Sequence, residues 1–359
     1  MMDLSGLYIS RGALLAPDGI PLHFGDTLRE YQAVDRGAIL LDRRHEGRIL
    51  ITGTDVLGWL DKIATNKLVD IQPMMGKPTL FTNANARILD RVMVYGLDAE
   101  RVLMTTEPNR GDAVLNYLRS NIFYQDKITL TDWRPMYHQF AVHGQSADAF
   151  ITNLSDKNSH RQFTKDDYPV YQFSLSDSPV YALRQKPYIG SSWTLITPTE
   201  SAFMVWKTLL DMGKDYQLIP SGGLVFNALR IRAGRVGAGR ELTPEYIPLE
   251  LGLWDEVSFN KGCYTGQEII ARMESRNKLA RVFMRIALSQ FAEAGTPLFH
   301  LGKQIGEITS SVIAPDGTIH AMAVVKTSIA GSNVVVNIGS SDGASATLTD
   351  YLGVQPRLE

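Results

Sequence analysis

The sequence has a single cysteine among 359 residues, Cys263, and this scarcity excludes several classes of structure. One thiol cannot form an intramolecular disulfide, and it cannot build a cysteine-cluster metal site. The disulfide framework of a small secreted domain is therefore excluded, and a reducing compartment fits the composition.

The sequence also lacks an excess of either charge and any long apolar run. Its 36 Lys and Arg residues and 38 Asp and Glu residues leave a net charge of −2, whereas nucleic-acid scaffolds and membrane-surface proteins depend on a strong basic excess. No apolar run approaches the roughly 18 residues that a membrane span needs. The first residues contain no apolar h-region of a secretory signal. We therefore expect a cytoplasmic protein with no membrane partner.

Several catalytic motifs are missing. The histidines, at positions 23, 45, 138, 143, 160, 300 and 320, show no metal-ligand spacing, so we predict no metal site. The glycines near 237 do not follow a Val- and Ile-rich strand, which argues against a nucleotide loop. No G-x-S-x-G elbow is present, so hydrolase chemistry has no support.

The patterns that are present indicate an α+β fold. "GRILITGTDVLGWLDKIATN" predicts strand, turn and helix, with Thr54 or Asp55 near the helix cap, and "HQFAVHGQSADAFITNL" and "WTLITPTESAFMVWKTLLDMG" repeat this order. The polar stretch 153–180 predicts a surface excursion with edge strands. Short Val- and Ile-rich runs follow residue 280 and predict a small β-barrel or sandwich. We therefore divide the chain into domains 1–280 and 281–359.

The segment around Cys263, "NKGCYTGQEIIARM", predicts a helix that starts at about residue 266. Thr265 and Glu268 match a capping box, and apolar residues follow at helical spacing. A helix N-terminus and the charge of Lys261 both favour a thiolate, which is the setting of a reactive cysteine. The alternative is a small buried hydrophobic residue, because free cysteine is among the most buried residue types.

A second cluster, "LRIRAGRVGAGRELTPEYIPLELGL", contains Arg230, Arg232, Arg235 and Arg240 ahead of several glutamates. Such guanidinium groups could bind carboxylates or phosphates in bidentate fashion. The alternative is a solvated charged face that pairs with its own glutamates.

With these motifs in view, the chain resembles the YgfZ-type folate-binding family, which is related to the glycine-cleavage T-protein, an aminomethyltransferase. "KGCYTGQEIIAR" resembles the YgfZ signature most specifically, and "ARILDRVMVYG", "PYIGSSWTL", "LRIRAG" and "PLELGL" resemble T-protein segments along the chain. The resemblance implies a T-protein-like fold of three subdomains around a central folate channel, two of them intertwined in the folate-binding part. A C-terminal β-barrel would complete this fold.

The resemblance also implies a binding site for tetrahydrofolate or a one-carbon derivative of it. Tyr95 and Tyr188 stand at positions of aromatic contacts, and Glu250 at that of a pterin-binding carboxylate. Arg230 is a candidate partner for the carboxylates of the glutamate tail, and Asn109 resembles a site asparagine. Cys263 and Lys261 are the candidate catalytic residues.

The chain departs from the T-protein pattern at Asp90-Arg91, where T-proteins carry two aspartates. Arginine cannot act as a general base at neutral pH, so aminomethyl transfer is in doubt and substrate turnover stays open. The leading hypothesis is a folate-binding accessory protein that works with iron-sulfur assembly proteins or client enzymes. The alternatives are a one-carbon transferase and a tRNA-modification factor, the latter supported only by the arginine cluster.

Overall fold

The protein is described by a computed structural model that covers residues 3–155, 164, 166–276 and 279–354. Helices and strands alternate along this part of the chain. The helices are α1 (Leu4–Ser10), α2 (Thr27–Ala33), α3 (Val56–Ile63), α4 (Gly111–Ser120), α5 (Ala147–Leu154), α6 (Ala202–Met212), α7 (Gly223–Arg232) and α8 (Gln267–Ser275). The strands are β1 (Leu14–Leu15), β2 (Pro21–His23), β3 (Ala38–Asp42), β4 (Glu46–Gly53), β5 (Met75–Thr82), β6 (Ile88–Gly96), β7 (Arg101–Pro108), β8 (Ile128–Asp132), β9 (Tyr137–Gly144), β10 (Tyr168–Leu175), β11 (Ser178–Arg184), β12 (Ser191–Pro198), β13 (Leu218–Pro220), β14 (Arg281–Leu288), β15 (Pro297–His300), β16 (Lys303–Ile313), β17 (Ile319–Lys326), β18 (Val334–Ile338) and β19 (Ser345–Tyr351).

Eleven strands form one mixed sheet in the order β13-β3-β9-β12-β11-β10-β5-β6-β7-β4-β8. The short strand β13 pairs in parallel with β3, and β3, β9 and β12 pair with one another in antiparallel fashion. Helices and a large sheet within one chain confirm the expected α+β class.

The strand-turn-helix patterns are confirmed. "GRILITGTDVLGWLDKIATN" forms β4 and α3, and the carboxylate of Asp55 accepts the N–H of Gly58 at 3.2 Å, so Asp55 rather than Thr54 caps the helix. The two similar patterns form β9 with α5 and β12 with α6. Periodicity succeeds here because each unit is local in sequence.

The prediction of edge strands in the stretch 153–180 is partly wrong. Residues 156–163 and 165 of this stretch lie outside the described residues. Strand β11 pairs with β10 on one side and with β12 on the other, so it is an interior strand. Strand β10 pairs with β5 only at Tyr168 and Pro169. A polar composition misled the prediction because a strand with one solvated face can still be paired along both edges.

The β-rich C-terminal part forms a closed barrel in the order β14-β17-β16-β15-β18-β19, which confirms the expected C-terminal barrel. Its interior is filled by aliphatic side chains that include Met284, Ile308, Val325 and Leu348. Closure removes the exposed edges that short Val-rich strands would otherwise leave.

The described residues divide into two units. The first unit comprises the part up to Leu60 together with Leu68–Pro78 and Val92–Leu229, and the second comprises Asp61–Lys67, Thr79–Arg91 and the part from Arg230 onward. The first unit has a core rich in aromatic residues, among them Trp193 and Trp206. The division at residue 280 that the sequence suggests stays a prediction. Among the described residues, none of the helices is both long and apolar enough to cross a membrane.

Candidate functional site

The thiol of Cys263 is exposed, in a loop of the second unit that lies between the 3-10 helix Trp254–Glu256 and α8. The alternative of a buried cysteine is therefore wrong. Helix α8 begins at Gln267, close to the expected start, so three residues separate Cys263 from the first helical residue. An exposed thiol near a helix start is available to reagents and partners.

The expected capping box at Thr265 and Glu268 is wrong. The N-cap is Gly266, which has a φ of 86° and makes no side-chain cap hydrogen bond. A Cβ at Gly266 would lie 2.7 Å from the carbonyl oxygen of Asn83, and the hydroxyl of Thr82 donates to the carbonyl of Thr265 at 2.6 Å. The close approach of the β5–β6 turn therefore selects a left-handed glycine here.

Lys261 anchors this loop. Its ammonium donates to the backbone carbonyls of Asp61, Ala64 (2.8 Å) and Asn66 (3.0 Å), and it lies 3.3 Å from the carboxylate of Asp61. Its side chain is only 1% exposed. Burial lowers the pKa of Lys261, and the Asp61 carboxylate opposes this effect. Because the three donors of the ammonium have acceptors, the structure gives Lys261 an anchoring role, and a catalytic role stays a prediction that this placement does not support.

Further bonds hold the segment just before Cys263. The hydroxyl of Thr65 donates to the carbonyl of Glu256 at 2.8 Å, and the N–H of Ser258 donates to the carbonyl of Thr65 at 2.9 Å. The side-chain amide of Asn66 donates to the carbonyl of Asp255 at 3.3 Å. Hydrogen bonds from Thr65 and Asn66, just after α3, thus hold the loop that carries the thiol in place.

Arg91 forms a buried ion pair with Glu256. Its Nε lies 2.7 Å from Oε2 and its Nη2 lies 2.9 Å from Oε1, which is bidentate geometry. Glu256 is fully buried, and Arg91 and its neighbour Asp90 are buried as well. Sequence reasoning identified Arg91 but missed Glu256, which is 165 residues away. The arginine at the position of the expected carboxylate therefore has an anion of its own within the second unit.

Arg230 and Glu250 also have partners within the second unit. Arg230 donates to the carboxylate of Glu241 at 3.3 Å and to the hydroxyl of Ser310 at 3.1 Å. The carboxylate of Glu250 accepts bonds of 3.0 Å from Nε and Nη2 of Arg281. Arg230 thus pairs with a glutamate of its own stretch, but it is buried and not part of a solvated charged face. Binding of a ligand by Arg230 or Glu250 stays a prediction. To bind one, each side chain would have to bond to the ligand in addition to its present partners in the protein.

Tyr95 is a core residue of the first unit. It lies on β6 with no exposed surface, and its hydroxyl donates to the carbonyl of Arg184 at 2.8 Å. A Cβ on Gly76 would lie 2.3 Å from its ring, so the glycine makes room for the ring. Tyr95 therefore presents no face to a ligand in this structure, and its expected aromatic contact has no support from its placement.

Tyr188 lies in an aromatic cluster of the first unit and is half-buried. Its ring makes edge contacts with Phe226 and His143, with centroids 4.9 Å and 5.2 Å away. The guanidinium of Arg43 lies 4.2 Å from the ring centroid of Phe226. Burial, reinforced by the charge of Arg43, lowers the pKa of His143 to about 3, so this histidine is neutral. Sequence reasoning missed Phe226 and Arg43, which no local motif connects to Tyr188.

Asn109 directly follows β7. It is exposed and has a φ of 59°, a left-handed conformation that asparagine tolerates better than most residues. Its N–H donates to the carbonyl of His45 at 2.9 Å. Within the described residues, no three His, Cys, Asp or Glu side chains come together as a metal site.

Comparisons with known proteins agree with this architecture. The family model described as the GCVT N-terminal domain matches residues 19–261. A chloroplastic candidate transferase of Arabidopsis thaliana is 28% identical over 346 residues, which are 96% of this chain and 78% of the relative. An aminomethyltransferase of Halothermothrix orenii is 26% identical over 302 residues, with 82% of each chain covered.

The solved structures include one with the same fold. The crystal structure of the glycine cleavage system aminomethyltransferase T from Bartonella henselae is similar with a TM-score of 0.79 at 18% identity, over 96% of this chain and 95% of that chain. At this identity the likeness shows the fold, which is the expected T-protein-like fold with a C-terminal barrel. Since the family model covers more than half of the residues, the chain belongs to the GCVT N-terminal domain family of aminomethyltransferase-like proteins.

Proposed function

We propose that this chain binds a reduced folate and serves as an accessory protein in the assembly or repair of iron-sulfur clusters. The single observation that carries this proposal is the exposed thiol of Cys263 on a loop that buried hydrogen bonds hold in place. A functional thiol must be accessible, and a fixed loop presents it in one geometry. The YgfZ-type signature "KGCYTGQE" is the sequence feature that links this thiol to cluster chemistry.

The residues expected to hold folate fit it in part. Tyr188 offers a half-buried ring among aromatic neighbours, which suits a flat pterin, and Asn109 offers an exposed amide. Tyr95 has no exposed surface. Arg230 and Glu250 already have ionic partners. Tetrahydrofolate, when bound, would supply or accept a one-carbon group, and we place its aromatic contact at Tyr188.

Calorimetric titration with tetrahydrofolate tests this part of the proposal. Loss of a stacking ring costs on the order of 1 kcal/mol, so Tyr188→Leu should weaken binding about fivefold or more. The matched control is Tyr124→Leu, because Tyr124 is fully exposed in the same unit. Equal affinity of wild type and Tyr188→Leu would remove Tyr188 from the site. Equal affinity for Glu250→Gln would likewise remove Glu250.

The role of the thiol is tested in cells that lack the protein. Cys263→Ser is nearly isosteric, so we expect a folded protein that binds folate as before while the activity of iron-sulfur enzymes falls. Thr265→Ala is the control, because it alters an exposed side chain of the same loop. Full restoration of those enzymes by the serine variant would show that the thiol does no chemistry.

A one-carbon transferase is the second candidate, because relatives named aminomethyltransferases match most of the chain. Against it stands the buried pair of Arg91 with Glu256, since a guanidinium at that position cannot accept a proton. We expect no formation of methylenetetrahydrofolate from an aminomethyl-loaded carrier protein. Turnover at the rate of an aminomethyltransferase would overturn the accessory-protein proposal.

The remaining expectations are also proposals. We place the protein in the cytoplasm, with iron-sulfur assembly proteins or client enzymes as partners. A tRNA link has weaker support than the sequence suggests, because Arg230 of the arginine cluster is buried against Glu241. RNA binding that weakens steeply with salt would revive it.

A further inference from the structure

A cavity of about 800 Å³ lies in the second unit, outside the residues discussed for folate and for the thiol loop, except for the Glu250 partner Arg281. Its wall combines apolar and charged side chains. The apolar part comes from Leu279, Ile305 and Val324, together with the ring of Tyr246. This volume is in the range of small-molecule sites, which are mostly apolar with a few placed polar groups.

The cavity has a cation without an anionic partner. The ammonium of Lys326 donates to the backbone carbonyl of Gln304 at 2.9 Å, and no carboxylate of the described residues forms an ion pair with it. Arg281, the other cation in the wall, is bound by Glu250 through two of its nitrogens. The charge of Lys326 is therefore the one that a ligand anion would meet.

The residue after Lys326, Thr327, carries an orphaned hydroxyl. The Oγ1 of Thr327 is buried and has no hydrogen-bond partner among the described residues, although Thr327 contributes to the cavity wall. A buried polar atom without a partner costs free energy, and a ligand oxygen or a water would satisfy it. This observation is independent of the charge of Lys326 and concerns the wall of the same cavity.

The carboxylate of Glu307, in the cavity wall, limits the negative charge that a ligand can carry. Glu307 accepts the hydroxyl of Tyr246 at 3.1 Å and lies opposite Val324 in the β16–β17 pair, so its side chain shares a face with that of Lys326 two residues further on. Glu307 and Lys326 form no ion pair with each other. A second negative charge on a ligand would be repelled by Glu307, which favours monoanions over phosphate.

We propose that this cavity binds a small organic monocarboxylate with an apolar body. Lys326 and Thr327 bind the carboxylate, and Tyr246, Leu279 and Ile305 contact the body. The inference does not depend on folate or on Cys263.

Titration of the full chain with benzoate, isovalerate and inorganic phosphate tests the site. We expect saturable binding of at least one carboxylate and at least tenfold weaker binding of phosphate. Lys326→Gln should weaken carboxylate binding about tenfold, and Thr327→Val about threefold, since charged hydrogen bonds exceed neutral ones. Lys303→Gln is the control, because Lys303 is exposed on β16 outside the wall.

Three results would overturn the proposal. They are the absence of saturable binding for both carboxylates, unchanged affinity in Lys326→Gln, and phosphate binding as tight as that of the carboxylates. Circular dichroism and the unfolding midpoint of each variant separate loss of the site from loss of the fold. Unchanged tetrahydrofolate affinity in Lys326→Gln would keep this result distinct from the proposed function.

Discussion

A basic side chain is buried near each of two candidate site residues, Tyr188 and Cys263, and the two basic side chains differ in their charge state. In the first unit, His143 stacks with Phe226 near Tyr188, and burial together with Arg43 keeps the imidazole neutral. In the second unit, the ammonium of Lys261 is surrounded by three carbonyls and the Asp61 carboxylate. Burial and a nearby cation favour the neutral imidazole of His143, whereas an anion and carbonyl oxygens allow the ammonium of Lys261 to keep its charge as an anchor.

The difference indicates two kinds of site. The Tyr188 cluster is held by ring contacts and suits an uncharged aromatic surface. The Cys263 loop is held by ionic and backbone hydrogen bonds, which fix its position while the thiol stays exposed. Removing a buried group that holds the loop in place, such as the ammonium of Lys261, should therefore lower the stability strongly. Removing the exposed thiol of Cys263 should not.

The largest effect is expected where both partners of an ion pair are buried. Glu256→Gln removes the carboxylate that binds the buried guanidinium of Arg91 in bidentate fashion, which should lower the free energy of unfolding by about 3–5 kcal/mol. Urea unfolding measures this change. The control is Glu268→Gln, which alters an exposed carboxylate of α8. A loss as small as that of the control would mean that water reaches Arg91.

The pair also admits a rescue experiment. Replacing both partners, as Arg91→Met with Glu256→Leu, removes both charges and should recover most of the stability lost in Glu256→Gln. Failure to recover it would show that the pair contributes through bonds other than those between the two side chains.

The next effect concerns the anchor of the thiol loop. Lys261→Met removes the ammonium donor from the carbonyls of Ala64 and Asn66, so we expect a loss of about 2–3 kcal/mol in the free energy of unfolding. Lys62→Met is the matched control, because Lys62 is exposed in α3. The alkylation rate of Cys263 should change in Lys261→Met only. An unchanged stability and an unchanged rate would contradict the anchoring role.

A pH-dependent effect is expected at His143. Its pKa is lowered from 6.5 to about 3 in the folded protein, so the unfolded chain binds the extra proton as the pH falls. Stability should therefore be lost between about pH 6.5 and 3, by about 2 kcal/mol at pH 5. His143→Gln should remove this part of the loss, and His300→Gln on the barrel should not. Urea unfolding at pH 7 and pH 5 compares them.

The smallest effect is expected at the thiol itself. Cys263 is exposed, so Cys263→Ser should leave the unfolding midpoint unchanged while alkylation of the protein by iodoacetamide disappears. A marked drop in stability would show that the thiol contributes to packing after all.

Sequence reasoning succeeded where structure is local. The β4–α3, β9–α5 and β12–α6 units follow patterns of fewer than 25 residues, and the Val-rich runs after residue 280 form the barrel. It failed for the pairing of β11, whose neighbours are chosen by the whole sheet. It also failed for the cap of α8, because the need for Gly266 comes from the β5–β6 turn, about 180 residues earlier.

The candidate site shows the same division. The sequence by itself placed Cys263 shortly before a helix and arginine at position 91, and it left open whether the thiol is exposed or buried. The structure decided that it is exposed. Only the tertiary structure decided that Arg91 pairs with Glu256 and that Lys261 anchors its loop on residues after α3. Periodicity and turn chemistry depend on residues that are close in sequence. The ion-pair partner of a buried arginine or lysine could be any of the 38 Asp and Glu residues, and only the tertiary fold determines which of them lies next to it.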